Sequence, residues 1–190
     1  MRMKYFGDSY DVVKRSLVDW LLEFGDWDAH PMFTEEVSNA ETKMYSDFLN
    51  VHVSSKAVLN PTTNRITYFK STKESGNMFL DPNTGVKLYG VQLRPSPDYL
   101  YLFELQKIVH HRPSFLTLVF DQAVARGNEP KSVATKLARF QESGIHGMTY
   151  ISHACFHILA ADSNLLRSVY SRLLKKSKLP NSRFICSWAA

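Results

Sequence analysis

Two aspartates stand where apolar runs stop. Asp81 follows Met78-Phe79-Leu80, and Asp121 follows the continuous run Phe115-Leu116-Thr117-Leu118-Val119-Phe120. In an open parallel sheet, ligands bind beyond the carboxyl ends of the strands. Carboxylates gathered there bind Mg²⁺ or accept protons. Asp also opens turns and caps helices for backbone reasons alone, and both readings stand for each residue. After Asp81 come Pro82, Asn83, Thr84 and Gly85. Proline fixes the chain direction, and glycine permits a sharp return. The segment therefore reads as a loop that holds Asp81 and Asn83 over the sheet edge. Asp8 and Asp11 form a second acidic pair, placed to cap a helix and to sit in its first turn.

His153-Ala154-Cys155-Phe156-His157 brings three potential metal ligands together. On a strand all three would share a face, and on a helix the two histidines would. No carboxylate or cysteine pair completes a zinc spacing, so no metal is assigned there. His110-His111 reads as a helix end, where positive charge is favourable. Basic residues concentrate toward the C-terminus, and Lys175, Lys176 and Lys178 fall within one turn. They serve either as solvated dipole partners at a helix end or as contacts to nucleic-acid phosphates. The sequence contains no G-x-G-x-x-G, no G-x-x-x-x-G-K-[ST] and no G-x-S-x-G, which argues against dinucleotide, P-loop and α/β-hydrolase chemistry.

The elements that must position these residues alternate in type. Val13, Leu17, Trp20, Leu21 and Phe24 lie on one face of a helix expected over 10–24, with Lys14 off that face. A short strand over 28–33 and a helix over 34–49, opened by Glu35 and Glu36, follow. The region 51–76 carries no clear pattern. Strands are expected at 78–80, 115–120, 148–151 and 183–188. Helices are expected at 98–111, 131–143 and from Asp162 or Ser163 to before Pro180, with a loop at 94–97. An unbroken apolar run such as 115–120 is how a strand buried on both faces reads. The expected fold is α/β, a three-layer Rossmann-like domain with a mostly parallel sheet, spanning 1–190 as one unit.

Length and composition agree with that expectation. The 190 residues are 44% hydrophobic and 22% charged, enough to bury a core without staples. Two cysteines exclude a disulfide framework, and an acid reached early at Asp8 leaves no signal-peptide pattern, so a soluble, cytoplasmic protein is expected. The net charge of +5 favours anionic partners modestly.

Residue order also resembles the large-subunit ribosomal RNA adenine methyltransferases and the three-Cys-motif partner proteins. Segment 7–14 is similar to their opening G-x-x-x-D-[VI]-[LV]-K helix. Segment 28–35 falls at their cofactor loop, and Asp81-Pro82-Asn83-Thr84 at their Asp-Pro-Pro-aromatic base-binding motif. The tail ending near Trp188 keeps their cadence. The D-P-[DN]-T-G loop with a following Asp98-Tyr99 also resembles bacterial and prophage proteins. Departures are visible: His30-Pro31-Met32-Phe33-Thr34 has no glycine, and Asn83 and Thr84 replace the second proline and the stacking aromatic. The resemblance implies a methyltransferase-like domain that acts on or binds RNA or DNA through Asp81, Asn83 and Asp121, with S-adenosylmethionine bound weakly or not at all. The alternatives are an Mg²⁺-dependent nuclease or phosphohydrolase using Asp81, Asp121 and Asp8 or Glu104, and a catalytically inactive interaction scaffold.

Overall fold

A computed structural model describes residues 1–70, 76–88 and 95–188. Chain order is α1 (Ser9–Leu21), β1 (Trp27–His30), α2 (Asn39–Leu49), β2 (His52–Val53), α3 (Arg65–Lys70), β3 (Asn77–Leu80), β4 (Gly85–Lys87) and β5 (Tyr99–Tyr101). It continues with α4 (Leu102–His110), β6 (Thr117–Asp121), α5 (Glu129–Glu142), β7 (His146–Ile151), β8 (Cys155–Ala160), α6 (Ser163–Ser177) and β9 (Phe184–Cys186). Seven strands form one sheet in the order β2-β1-β3-β6-β8-β7-β9. β2, β1, β3 and β6 pair in parallel, β8 is antiparallel to both β6 and β7, and β9 is antiparallel to β7. Five of the seven strands therefore point the same way. β4 and β5 make a separate parallel pair.

Apolar periodicity explains the layering. Along β3 and β6 successive side chains alternate between two cores. Phe79, Leu118 and Phe120 pack with Leu17 and Leu21 of α1, Leu49 of α2 and Leu166 and Val169 of α6. Met78, Leu80 and Val119 pack instead with Leu105 and Val109 of α4 and Val133 and Phe140 of α5. All five residues of β6 are buried, as the apolar run predicts, and β6 lies in the middle of the sheet. The α/β, Rossmann-like fold class is thus the observed one.

Several boundaries differ for local reasons. Asp8 caps α1 by accepting from the amides of Tyr10 and Asp11, but the last turn tightens into a 3-10 helix over Leu22–Phe24. The second helix starts at Asn39, five residues later than expected, because Ser38 and Glu41 form a capping box. The helix expected from 98 begins at Leu102, since Tyr99–Tyr101 is a strand beside Gly85–Lys87. Strict alternation fails: no helix stands between β3 and β4 among the described residues, and β7 and β8 form a hairpin with no helix between them. The 51–76 region contains β2 and α3, with 71–75 outside the described residues. Arg94, the start of the expected 94–97 loop, also lies outside them.

Gly85 allows the small β4–β5 pair to approach the sheet. Its φ is 139°, and a Cβ there would overlap the Asp121 carboxylate and lie 2.9 Å from the Asp121 Cα. Gly85→Ala should cost about 3 kcal/mol or more, combining backbone strain with overpacking. Gly127→Ala, at φ 77° but with open space around it, should cost only about 1–2 kcal/mol. Urea denaturation of both variants checks the contrast, and equal costs would refute it.

Candidate functional site

The buried stripe of α1 contains two charges. Asp11, Lys14, Val18 and Leu21 are all buried, at the i, i+3, i+7 spacing of a single helical face. Lys14 is only 3% exposed, which corrects its expected place off the apolar face. Its ammonium lies 2.8 Å from Asp11 Oδ1 and 3.0 Å from Asp81 Oδ2, and 4.4 Å from the centre of the Phe120 ring. The Tyr45 hydroxyl of α2 donates to the same Asp81 oxygen at 3.1 Å. Asp11 Oδ2 accepts from the Gly7 amide at 2.7 Å. Asp81 thus joins β3 to α1 and α2.

Burial makes Asp81 harder to ionise and the Lys14 ammonium opposes this, leaving the Asp81 pKa above its ordinary value. For Lys14, burial acts against the charge, but Asp81 and Asp11 outweigh it and the pKa rises. Lys14 is therefore the fixed cation, and Asp81 is the weaker acid beside it. Burial and the neighbouring carboxylates also push the Tyr45 phenol far up, so it stays a donor.

A cavity of about 380 Å³ opens above this group. Its walls include Tyr5, Asp8, Tyr10, Asn83, Thr84, Phe120 and Gln122, with Arg2 alongside. Asn83 donates to Asp98 at 2.9 Å, and the Thr84 amide donates to the Asp98 carbonyl at 2.8 Å. The 81–85 loop and the Asp98-Tyr99 segment, far apart in sequence, therefore build one rim. β1 connects to β2 on one side, and the chain then returns from β2 to β3 on the other side of β1, so the cavity lies beside a topological switch point, where such sheets bind ligands.

Asp121 is not part of this cavity. β3 and β6 pair with Leu80 beside Val119, so Asp81 stands level with Phe120 and Asp121 one residue further on. One residue of offset turns a side chain to the opposite face. Asp121 accepts from Lys136 of α5 and from His157 Nε2 at 2.8 Å, while His157 Nδ1 lies 2.7 Å from the Thr149 hydroxyl. Burial opposes ionisation of Asp121, but the hydrogen bonds and charges of His157 and Lys136 prevail and hold its pKa below the usual range. Burial dominates at His157 and lowers its pKa. The pair is thus an aspartate bonded to a neutral imidazole. Asp121, His157 and Thr149 are each 0% exposed, so the group is closed to reactants and serves the core.

The 153–157 motif is divided the same way. His153 is exposed in the β7–β8 turn, whereas Cys155 and His157 are buried in β8. Burial pushes the Cys155 thiol up to about 12. Among the described residues, no three His, Cys, Asp or Glu side chains gather as a metal site. Each carboxylate considered for Mg²⁺ already has a partner. Asp81 has Lys14, Asp121 has Lys136, Asp8 has the α1 amides, and Glu104 has Arg65 in a buried bidentate pair.

The C-terminal lysines sit elsewhere. Lys176 donates to the carbonyls of Asp19 and Trp20 at 3.1 and 3.3 Å, near the C-terminal end of α1. Asp8, at the other end of that 13-residue helix, walls the cavity. The two ends are about 20 Å apart. Lys178 is the left-handed C-cap of α6, and Lys175 is exposed. The residues that sequence reasoning missed are Lys14, Tyr45, Gln122 and Lys136. For Lys14 a signal existed in its i, i+3 spacing from Asp11 on the stripe that carries Val18 and Leu21.

Comparison of the chain with family models, curated proteins and solved structures gives no match. No helix among the described residues is long and apolar enough to cross a membrane.

At the end of β1, His30 is fully buried against the Tyr68 and Phe69 rings, 4.9 and 5.7 Å away, and neither ring nitrogen has a hydrogen-bond partner. Burial lowers its pKa from 6.5 to about 4. Between those values the unfolded chain binds the proton that the folded chain refuses, so stability is full above pH 6.5 and falls as pH drops toward 4. His30→Leu should flatten that part of the profile by up to about 3 kcal/mol at pH 4. Urea midpoints from pH 4 to 7 test this, and an unchanged profile would refute it.

Proposed function

We propose that this chain is a methyltransferase-like domain that binds nucleic acid by taking an unpaired base into the cavity beneath the Asp81 loop. The observation that carries the reading is the position of Asp81-Pro82-Asn83-Thr84, at the carboxyl end of a parallel strand, where it walls a cavity with Tyr5, Tyr10, Phe120 and Gln122. Aromatic faces stack bases, and side-chain amides hydrogen-bond their edges. The element order supports it further. The resemblance implies a tail of strand, helix and last strand ending near Trp188, and β8, α6 and β9 follow in that order.

The cofactor half of the resemblance does not fit. After β1, Pro31 offers no amide, and Met32 occupies a left-handed φ of 49° where the family has glycine. Met32, Phe33 and Leu59 are all at 0% exposure there, and the Leu59 amide donates to the Phe33 carbonyl at 2.7 Å. Packed side chains stand where S-adenosylmethionine needs open backbone, so recognition without methyl transfer is the function proposed.

Fluorescence anisotropy with short labelled single-stranded RNA and DNA tests the reading. Saturable binding is expected, weakened about tenfold by Gln122→Ala or Asn83→Ala, as for one lost hydrogen bond. Tyr10→Ala should weaken it by about fivefold or more through lost stacking. Replacing Lys175, Lys176 and Lys178 together by Gln should affect only strands long enough to pass from the cavity to the far end of α1. Calorimetric titration with S-adenosylmethionine should be flat, and micromolar binding would overturn the cofactor assignment. Absence of any nucleic-acid binding would overturn the whole reading.

A further inference from the structure

One chain of hydrogen-bonding groups beside Tyr10 takes no part in that recognition. Ser9 is the first residue of α1, exposed, and flanked by Asp8 and Tyr10, both of which wall the cavity. Its hydroxyl lies 3.3 Å from His153 Nε2. His153 Nδ1 lies 3.0 Å from the Ser152 hydroxyl. The imidazole also packs against the Tyr10 ring, with centroids 4.3 Å apart and planes 31° from parallel. A hydroxyl, a base within reach of it and a third group that orients the base make up a nucleophilic arrangement. We infer that Ser9, His153 and Ser152 form a nucleophilic site for small carboxylic esters beside Tyr10, where a second cavity of about 50 Å³, lined by Ser152 and His153, adjoins the first through Tyr10 and Gln122.

The reactive tautomer carries its proton on Nδ1, donated to Ser152 Oγ, and keeps Nε2 as the acceptor for the Ser9 hydroxyl proton. In the first step Ser9 Oγ bonds to the ester carbonyl carbon while its proton passes to Nε2. The bond from carbonyl carbon to the alcohol oxygen then breaks, and the leaving alkoxide takes that proton from the imidazolium. In the second step water gives a proton to Nε2, and its oxygen bonds to the acyl carbon. The acyl–Ser9 bond breaks, the proton returns to Ser9, and a carboxylic acid leaves. Asp8 occupies the amides of Tyr10 and Asp11. The Ser9 amide has no acceptor within the helix and lies at the positive end of the α1 dipole, which favours the charge that develops on the carbonyl oxygen. Tyr5, Tyr10 and Phe120 give the adjoining wall an aromatic surface suited to a small acyl or aryl group.

The chain incubated with a fluorophosphonate probe and weighed intact tests the inference. One phosphonyl adduct is expected, mapped to Ser9 by peptide sequencing and missing from Ser9→Ala. His153→Ala should slow labelling and p-nitrophenyl acetate hydrolysis about a hundredfold. Ser152 acts through His153 as a positioning residue, so Ser152→Ala should slow both reactions and Ser152→Thr, which keeps the hydroxyl, should restore them. Ser9 and His153 are exposed and Ser152 lies in a turn, so circular dichroism should show every variant folded. No adduct, an adduct on another residue, or labelling undiminished in His153→Ala would overturn the inference. Nucleic-acid binding is measured separately, so either proposal stands or falls without the other.

Discussion

The carboxyl edge of the sheet is organised by one buried ammonium. Lys14 lies between the carboxylates of Asp11 and Asp81, with the Tyr45 hydroxyl on the far side of Asp81. A charge this deep is tolerated only when it is paired and hydrogen-bonded. The contact can therefore be made only with α1, α2 and β3 in one mutual arrangement. Burial makes Asp81 reluctant to ionise, and the neighbouring Asp11 carboxylate adds to that reluctance. Removing Lys14 would strand two buried carboxylates, whereas the surface pair Lys43–Asp47, both ends more than half exposed, contributes little.

A second buried ion pair holds the opposite face. Asp121 binds Lys136, whose ammonium also donates to the Val86 carbonyl at 2.8 Å. Gly85 lets the β4–β5 pair come close enough for that bond. The rim of the cavity is thus anchored from both faces of the sheet. Lys14 and Asp81 fix its floor, while Asp121 and Lys136 fix the strand pair that continues the 81–85 loop. The Arg65–Glu104 pair adds a third tie, reaching the Tyr99 carbonyl at 2.7 Å and so holding β5.

The cavity thus combines rigid anchoring beneath with mixed aromatic and amide side chains in its walls. The buried Asp121–His157–Thr149 group has the order of a catalytic triad, but no reactant reaches it. The Ser9–His153–Ser152 chain, by contrast, lies at the surface beside Tyr10. The carboxyl end of β1 is packed. A histidine whose ring nitrogens have no hydrogen-bond partner among the described residues, a methionine in a left-handed conformation and two aromatic rings fill the space there.

Sequence alone determined the order and type of most elements, because 3.6- and two-residue periodicities are local and strong in 10–24, 115–120 and 131–143. It also marked the Asp81 loop, since Asp-Pro-Asn-Thr-Gly is turn chemistry wherever it occurs. It did not show that Asp81 and Asp121 face opposite ways, because that depends on the register between β3 and β6, one residue of which reverses a side chain. Nor did it place His157 apart from His153, because a hairpin and a helix connection leave the same short-range pattern. From sequence Lys14 reads as lying off the apolar face, because a charge on an apolar stripe is intelligible only once its partner is known. That partner is Asp81, 67 residues away. Local free energies decide which elements form. The pairing of buried charges is a long-range constraint, and only the folded chain satisfies it.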